Sequence, residues 1–489
     1  MAGSPTYSAT RTKTPADSRC PGCQERDSII NRLRQENEEL HQRLSQSQQR
    51  LQQQQERNGR NSSNSSMPPS SNPPDAPAAK ARKKPSGRKR GAQPEHPPTN
   101  PGRFPVETLS EPPITCIPNT CAHCQAPLSG SDSMPLRHQV IELPPIQPEI
   151  REYQRYTLPC SQCGHATLAA LPEGVPSHTY GPRLQAFVGL CTGCYHLSKR
   201  QVGELLETAF GIPISLGSIC NIEQRVSAAV AEPVNEAKKH VQQADVAYVD
   251  ETSFPQQPNK GWLWVAVTAY LAVFAIRRHR DRLSAEDLLG RAFAGIVVSD
   301  RYSSYLWLQR RQLCWAHLRR DWQAFIDRGG RSRRIGRRLR SLTDHMFHLW
   351  HQVRDGTLSR RLFQYLMIDI RQGAHHWLRV GAACRQARTA GTCADVIEHQ
   401  EALWTFVDVE GVEPTNNTAE RILRQAVLWR KKSFGTRSPA GSQFVERILT
   451  VVATCRLQQR NILEYLTAAC NAAIRQQLAP SLVPTGHKV

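Results

Sequence analysis

The sequence predicts a multidomain protein built around an α/β core that carries a helical insertion. Three observations predict this fold class. Four apolar runs between residues 246 and 300 have the composition of buried strands, and two of them end in an aspartate. Two C-x-x-C pairs precede that region, and a heptad repeat lies near the N-terminus. A chain of 489 residues is long enough for several domains and a sizeable core.

The charge balance restricts the kind of partner that the protein is expected to bind. The chain has 63 Lys and Arg against 42 Asp and Glu, a formal net charge of +21, which indicates nucleic acid or an anionic membrane. The longest apolar run, residues 262–276, is shorter than the roughly 20 residues of a membrane-spanning helix, and its β-branched and aromatic residues favour strands. Without an apolar signal segment, a cytoplasmic protein is expected, in which the 15 cysteines serve metal binding or packing rather than disulfides.

The N-terminal part of the sequence predicts a disordered tail followed by a coiled coil. Residues 1–26 are expected to be a disordered tail with one C-x-x-C pair, Cys20 and Cys23, that could bind a separate zinc. Residues 27–57 follow a heptad repeat that favours a parallel, dimeric coiled coil, with an amphipathic helix folded onto its own chain as the alternative. The seam residues are Ile30, Asn37, Leu44 and Leu51 at one position, and Leu33, Leu40 and Ser47 at the other.

Residues 58–105 predict a disordered basic linker, because they are rich in Ser, Asn and Pro and then in cations. Seven cations fall within residues 80–90, and such an arm adds sequence-independent contacts to DNA phosphates. A solvated charge run is the alternative. The candidate DNA-binding residues of this arm are Lys83, Lys84, Arg88, Lys89 and Arg90.

Residues 106–178 predict a small zinc-binding module with short strands. Two C-x-x-C pairs supply four thiolates, a set that suits tetrahedral structural Zn²⁺. These ligands are Cys121, Cys124, Cys160 and Cys163, and Cys116, His123 and His165 are alternative ligands. Four unrelated buried cysteines are the competing interpretation. A third pair, Cys191 and Cys194, lies in a helical pattern and is interpreted as core packing.

Residues 179–243 predict a helical segment that resembles a helix-turn-helix. Ser198 is placed to cap a helix that runs through Phe210, and Gly211 interrupts the pattern. Ser215 or Ser218 caps a second helix, which a helix-turn-helix would place in the major groove of DNA. The alternative is an ordinary helical hairpin.

Residues 244–325 form the first part of the predicted core. Three strands, a helix at residues 283–293 and a fourth strand follow one another, which is the element order of an RNase H-like fold. Asp250 and Asp300 end the first and fourth strands, which are neighbours in that topology. Facing carboxylates hold two divalent cations about 3.5–4 Å apart for in-line phosphoryl displacement, and their oxygen ligands suit Mg²⁺ or Mn²⁺.

The remaining chain predicts a helical insertion over residues 326–405, the last part of the core over residues 406–470, and a tail over residues 471–489. A third carboxylate is expected from a helix capped by Thr415 or Asn416, and Glu420 in its first turns is the best candidate. The basic residues beside it, which would contact phosphates, are Arg421, Arg424, Arg430, Lys431 and Lys432. The rival carboxylates are Glu251, Glu413 and Glu446.

Two further patterns stay open. Seven arginines within residues 328–340 either track DNA phosphates or form a solvated helix face. Cys314 and His317 make a C-x-x-H pattern, which is either half a zinc site or a motif at the edge of the active site.

Five segments together resemble the larger transposase of the insertion-sequence-66 family. They are Asp-Glu-Thr at 250–252, Ser-Asp-Arg-Tyr at 299–302, Cys-Trp-Ala-His-Leu-Arg-Arg at 314–320, Asn-Asn-Thr-Ala-Glu-Arg at 416–421, and Lys-Lys-Ser-Phe-Gly at 431–435 with Gly441 beyond. The order of zipper, zinc-binding segment and core also matches, so the resemblance covers most of residues 25–470. It implies a bacterial, nucleoid-associated transposase with a DDE triad of Asp250, Asp300 and Glu420, and with His317 near the site.

The resemblance also implies the reaction and the partners. Hydrolysis at an end of the element frees a 3′-hydroxyl, which then attacks target DNA, and accessory proteins of the same element are expected. Two residues depart from the family pattern: Arg301 replaces a small residue and could alter how DNA approaches Asp300, and Thr415 replaces a common Asp. The alternatives are a nuclease of the same fold that cuts without joining, and a non-catalytic DNA-binding regulator.

Overall fold

The computed structural model describes residues 21–58, 61, 64 and 104–484. The first element is a single helix, α1 (Pro21–Asn58), whose described side chains are exposed, with Leu33 and Leu40 among them. The heptad region is therefore helical, but the partner of its seam, and with it the coiled coil, stays a prediction. Cys20 and the basic residues 80–90 lie outside the described residues.

The next segment has no core of its own. Two three-residue strands, β1 (Thr157–Pro159) and β2 (Ala166–Leu168), pair antiparallel after a 3₁₀ turn at Val106–Thr108. No side chain between residues 104 and 184 is buried. This segment therefore needs something other than an apolar core to hold its fold.

Four helices follow, and their ends have local causes. Ser198 caps the second with a capping box that includes Gln201, and Gly211 ends it with a φ of 64°. Ser215 caps the third, as expected from the sequence. The helices are α2 (Pro182–Gly193), α3 (Lys199–Phe210), α4 (Leu216–Ala229) and α5 (Ala231–Val241).

A five-stranded mixed sheet forms the centre of the core, in the order β5-β4-β3-β6-β7. The elements are β3 (Val246–Ser253), β4 (Trp262–Val267), β5 (Ala272–Arg277), α6 (Arg282–Leu289), β6 (Ile296–Ser299) and β7 (Arg311–Leu313). Within this sheet β4 pairs antiparallel with β3 and with β5, and β6 and β7 run parallel to the central strand β3.

This arrangement confirms the predicted mixed α/β core and corrects its details. The central strand continues three residues past Asp250, so this aspartate lies within a strand rather than at its end. The helix expected at residues 283–293 is shorter, because Gly290 follows its last residue with a φ of 85°. The short strand β7 lies between Asp300 and Cys314 and forms the edge of the sheet opposite β5.

The rest of the chain is helical. The helices are α7 (Trp315–Arg328), α8 (Gly330–Arg354), α9 (Arg360–Ala382), α10 (Ala387–Glu398), α11 (Thr405–Asp408), α12 (Asn417–Ser433), α13 (Pro439–Leu457) and α14 (Ile462–Ile474). Most arginines of residues 328–340 are exposed, and Arg334 and Arg338 lie over the ring of Trp377. Leu482 is fully buried, so the predicted tail packs against the core through its described part.

The helix α13 covers the free edge of the sheet at β5. Side chains spaced four residues apart on α13 accept hydrogen bonds from backbone N–H groups spaced two residues apart on β5. The pairs are Thr454 with Ala272 at 3.1 Å, Thr450 with Phe274 at 3.0 Å and Glu446 with Ile276 at 2.5 Å. The edge strand is thereby satisfied and closed to pairing with another chain. No helix among the described residues is long and apolar enough to span a bilayer.

Candidate active site

The strands β3 and β6 place two aspartates side by side. In this parallel pair Tyr248 lies opposite Val298, and Asp250 and Asp300 each follow two residues later. Side chains two residues apart on a strand point to the same face. The two carboxyl groups therefore reach the same edge of the sheet on the same side. One oxygen of each is fixed by a backbone N–H, from Glu251 at 3.0 Å and from Tyr302 at 2.9 Å.

The helix α12 brings a third carboxylate to this edge. Its N-cap, Asn416, is buried and donates through Nδ2 to the carbonyl of Val249 at 2.7 Å, one residue before Asp250. The backbone N–H of Asn416 donates to Sγ of Cys314 at 3.2 Å. These two bonds hold the start of α12 against β3, and Glu420 lies in the first turn.

The carboxylates interact strongly. The pKa of Asp250 is well above its usual range because of burial, and then because of the negative charges of Glu251, Glu420 and Asp300. Four carboxylates thus lie within electrostatic range of one another. The sequence predicted three of them as a triad and treated Glu251 as a rival.

The surroundings of Glu251 separate it from the other three. As the next residue on β3, it points to the opposite face of the sheet from Asp250. Glu251 is buried, forms an ion pair with Arg280 at 2.6 Å and accepts a hydrogen bond from the hydroxyl of Tyr305. Burial raises its pKa, and Arg280 and Tyr305 oppose that rise. Arg280 also lies 3.6 Å above the ring of Tyr302 and 4.0 Å from Asp300. Glu251 is therefore part of the support beneath the site.

The C-x-x-H pattern faces the third carboxylate. Nδ1 of His317 lies 3.6 Å from Oε1 of Glu420, and both atoms are buried without a hydrogen-bond partner among the described residues. The ligand atoms of Cys314, His317 and Glu420 all lie within 4.8 Å of one another. Burial alone would lower the pKa of His317, but the Cys314 side chain and Glu420 raise it to about 9.

Cations surround this edge on the solvent side. Arg320 lies 3.8 Å from Oε2 of Glu420. Arg430 instead turns inward and donates to Thr252 and Ser253 at the end of β3, so it anchors the helix rather than facing solvent. The exposed basic residues of α12 are Arg421, Arg424, Lys431 and Lys432.

Residues 178–444 match the model of a family described as Transposase IS66 family. The chain belongs to the IS66 transposase family. A second match, over residues 13–101, is to a family of unknown function.

Two relatives of this IS66-family protein come from Sinorhizobium fredii. One, named Uncharacterized protein y4qI, is 25% identical over 264 residues, which cover 47% of this chain and 48% of that protein. The other, Uncharacterized protein y4hP, is 25% identical over 392 residues, which cover 71% of this chain and 68% of that protein. The chain thus spans about half the length of the first relative.

Arg301, one of the two departures from the family pattern, does not face the carboxylates in this IS66-family protein. It pairs with Asp321 at 2.6 Å and with Asp395, and so ties the end of β6 to α7 and α10. These contacts do not test whether Arg301 alters the approach of DNA to Asp300, which stays a prediction. Its physical role is to hold the helical insertion against the core.

The two predicted zinc pairs form matching loops. The N–H of Cys121 donates to Ala126 O, and that of Cys160 donates to His165 O, both at 2.8 Å. Backbone N–H groups of the next residues point at the first sulfur of each pair and lower the pKa of Cys121 and of Cys160. No three of the four sulfurs lie within 4.8 Å of one another, so the metal site stays a prediction.

The third cysteine pair is packed in the core, as interpreted from the sequence. Cys191 and Cys194 are buried in and after α2. Burial raises the pKa of Cys191 to about 11, which keeps the thiol protonated and unreactive.

Proposed function

We propose that this IS66-family protein is a DDE transposase, which cleaves DNA at the ends of an insertion sequence and joins them to target DNA. The observation that carries the proposal is the convergence of Asp250, Asp300 and Glu420, from two parallel strands and one helix, with a raised pKa at Asp250. Repulsion within such a group is a cost to folding, and such costs are typical of functional sites. The element order supports an RNase H-like core.

The three side chains fit divalent metal ions. They present carboxylate oxygens, the ligands that Mg²⁺ and Mn²⁺ prefer, and Oε1 of Glu420 is buried without a hydrogen-bond donor among the described residues. Bound there, two such ions would neutralise negative charge that develops on the phosphate in an in-line displacement.

The chain's own residues supply position and charge. The backbone N–H groups of Glu251 and Tyr302 fix one oxygen of each aspartate and leave the other for a ligand. Arg320 lies beside Glu420 and could hold a phosphate there, and the exposed residues Arg421, Arg424, Lys431 and Lys432 continue this basic surface along α12. In the proposed reaction water first cleaves a phosphodiester and frees a 3′-hydroxyl. That hydroxyl then attacks a phosphodiester of target DNA, forms the new P–O bond and releases the 3′-hydroxyl of the cut target strand.

The N-terminal modules complete the proposal. Zn²⁺ held by Cys121, Cys124, Cys160 and Cys163 would replace the missing core of its segment, and the matching loops support this. The exposed seam of α1 supports a homodimer or higher oligomer. Double-stranded DNA is the expected partner of these modules, including the helix pair α3–α4, together with accessory proteins of the same element.

The test is an assay of cleavage and joining. Purified full-length protein is incubated with labelled DNA from the ends flanking its own gene, with Mg²⁺ or with Mn²⁺. The triad variants are Asp250→Asn, Asp300→Asn and Glu420→Gln, and the matched control is Glu446→Gln, a carboxylate that bonds to β5 instead. Cleavage and joined products in wild type and control, absent in all three triad variants, support the proposal. Cleavage without joining, with accessory proteins supplied, would favour a nuclease, and binding without cleavage a regulator.

A further inference from the structure

A cavity of about 660 Å³ opens between α7, α8 and the segment that leads into α12. One face of α8 lines it, through residues that recur every three or four positions. They are Arg340, Asp344, Phe347, His351 and Arg354. In a packed helical hairpin such a face is apolar and covered by its neighbour. Here it is mainly polar and faces open space.

The charges of this cavity select an anionic ligand. Arg319, Arg320, Arg340 and Arg354 line it, against the carboxylates of Asp344 and Glu413. One pair is close, Arg319 with Asp344 at 2.7 Å. The contacts of Arg320, Arg340 and Arg354 with carboxylates are each 3.8 Å, beyond hydrogen-bond range. Because a guanidinium carries five N–H donors, these arginines retain donors for another acceptor.

The shape of the cavity favours one strand of nucleic acid. Phe347 adds partly exposed aromatic surface beside the arginines. Trp350 lines the cavity from a buried position against Phe363 and Phe406. Aromatic rings and cations together are the combination that holds single-stranded DNA, with bases on the rings and phosphates on the cations. Duplex DNA, whose major groove alone is about 12 Å wide, is too broad for a cavity of this volume.

The cavity adjoins the candidate active site. Arg320 lines it and also lies 3.8 Å from Oε2 of Glu420. Thr415 and Asn417, at the start of α12, form its rim. A DNA strand bound at the three carboxylates could therefore continue directly into this cavity, because the single side chain of Arg320 borders both.

We propose that this cavity receives a single DNA strand next to the phosphodiester at Asp250, Asp300 and Glu420, with its phosphates on Arg340 and Arg354. The inference rests on the proposed function and adds a subsite to it. The strand comes either from the element end or from target DNA, and both present the same chemistry. The cavity accordingly discriminates a frayed or protruding strand from a blunt duplex.

The test measures binding of full-length protein without divalent metal, so that no cleavage occurs. The probes are fluorescent duplexes of the element end, blunt or with a protruding strand of four thymidines at the 3′ or 5′ side. The cavity variant is Arg340→Ala/Arg354→Ala. The control is Arg331→Ala/Arg337→Ala, which removes two exposed arginines of the same helix outside the cavity.

Wild type is expected to bind one of the protruding duplexes more tightly than the blunt one. The cavity variant should lose about tenfold or more in affinity for that probe and little for the blunt duplex. The control should weaken both probes equally. Equal loss for both probes in the cavity variant, or no preference in wild type, would overturn the inference.

Two further experiments distinguish the source of the bound DNA strand, and distinguish a failure of the subsite from a failure of the proposed function. An overhang of element-end sequence that binds better than thymidines assigns the strand to the element, and equal binding assigns it to target DNA. If cleavage and joining occur while the overhang preference is absent, the subsite is wrong and the proposed function stands. If the preference depends on the cavity arginines but no condition gives cleavage, the subsite stands and the transposase proposal fails.

Discussion

Nη2 of Arg280 lies 2.6 Å from Oε1 of Glu251 beneath the candidate active site, and Glu251 is buried whereas Arg280 is partly exposed. Glu251 is the residue next to Asp250 on β3. Loss of the ion pair would therefore disturb the site without removing a triad carboxylate. The negative charge of Asp300 also contributes to the raised pKa of Glu251. Arg280 therefore offsets the negative charges of Glu251 and Asp300 at this edge of the sheet.

This pair predicts a strong stability coupling. Arg280→Met should destabilise the protein by about 3–5 kcal/mol, because it leaves Glu251 buried without a cation. The double variant Arg280→Met/Glu251→Gln should recover part of that loss, since no unpaired charge remains. Urea unfolding of the four proteins of this cycle measures the coupling. Strictly additive losses would show that the two side chains act independently.

The triad predicts a metal-dependent stability. Without divalent metal, Asp250→Asn should raise the melting temperature, because burial, and then repulsion from the neighbouring carboxylates, disfavours a charge at Asp250 and raises its pKa. Mg²⁺ should raise the melting temperature of wild type and have little effect on the variant. Glu223→Gln, at a buried carboxylate that pairs with Lys199 on α3, should keep the response to Mg²⁺. A response of similar size in Asp250→Asn would place the metal elsewhere.

Much of this site was accessible from the sequence, and the limits have physical causes. Asp250 and Asp300 could be named because apolar strand runs mark their positions. Glu420 follows a helix start signal, but the resemblance to the IS66 family was needed to select it among the rival carboxylates. The supporting residues were missed, since Arg280 and Tyr305 lie in segments without a distinctive pattern and meet Glu251 through tertiary contacts alone. The ion pairs of Arg301 were missed for the same reason, because its partners Asp321 and Asp395 are 20 and 94 residues away.

The hydrogen bonds through which α13 covers the edge strand β5 could not be predicted either. Thr450 and Thr454 read as ordinary positions of an amphipathic helix, and nothing local in the sequence couples them to β5. The cavity beside Glu420 was equally hidden, because the basic pattern at residues 328–340 does not distinguish Arg340 from the arginines on the exposed face of α8. Only the helix packing reveals that Arg340 and Arg354 belong to a different face.

A buried histidine predicts a pH dependence of stability. His196 is buried and stacked on Trp429 at 5.1 Å, and burial, followed by the charge of Lys432, lowers its pKa. The unfolded chain, with a histidine pKa of about 6.5, therefore binds more protons than the folded protein below that pH. Stability should fall as pH falls through this range. His196→Phe keeps the stacking and should lose this part of the slope, as measured by urea unfolding between about pH 7.5 and 5.5. Parallel slopes in the two proteins would contradict it.

The loop after α12 predicts a sharp effect of one methyl group. Gly435 has a φ of 98°, and a Cβ there would lie 2.0 Å from the carbonyl oxygen of Pro255. Gly435→Ala should thus cost about 2 kcal/mol or more, since both the conformation and the contact are unfavourable. Gly391→Ala is the matched control, because that glycine lies within α10 with open space around it. The control should be neutral or stabilising by up to about 1 kcal/mol. Equal melting temperatures for Gly435→Ala and wild type would show that the loop does not dock on Pro255.

The cysteine loops predict a metal content that distinguishes them from the buried pair. Purified full-length protein should contain about one zinc per chain, since four thiolates complete a structural site. Cys121→Ser or Cys160→Ser should lose this zinc, because each removes a sulfur towards which backbone N–H groups point. Cys191→Ser should keep it, as that thiol is buried in α2 and its raised pKa of about 11 disfavours the thiolate that zinc requires. The zinc content of the three variants is measured by elemental analysis after dialysis. Zinc retained in Cys121→Ser and Cys160→Ser but lost in Cys191→Ser would contradict the assignment of the zinc site to the two cysteine loops.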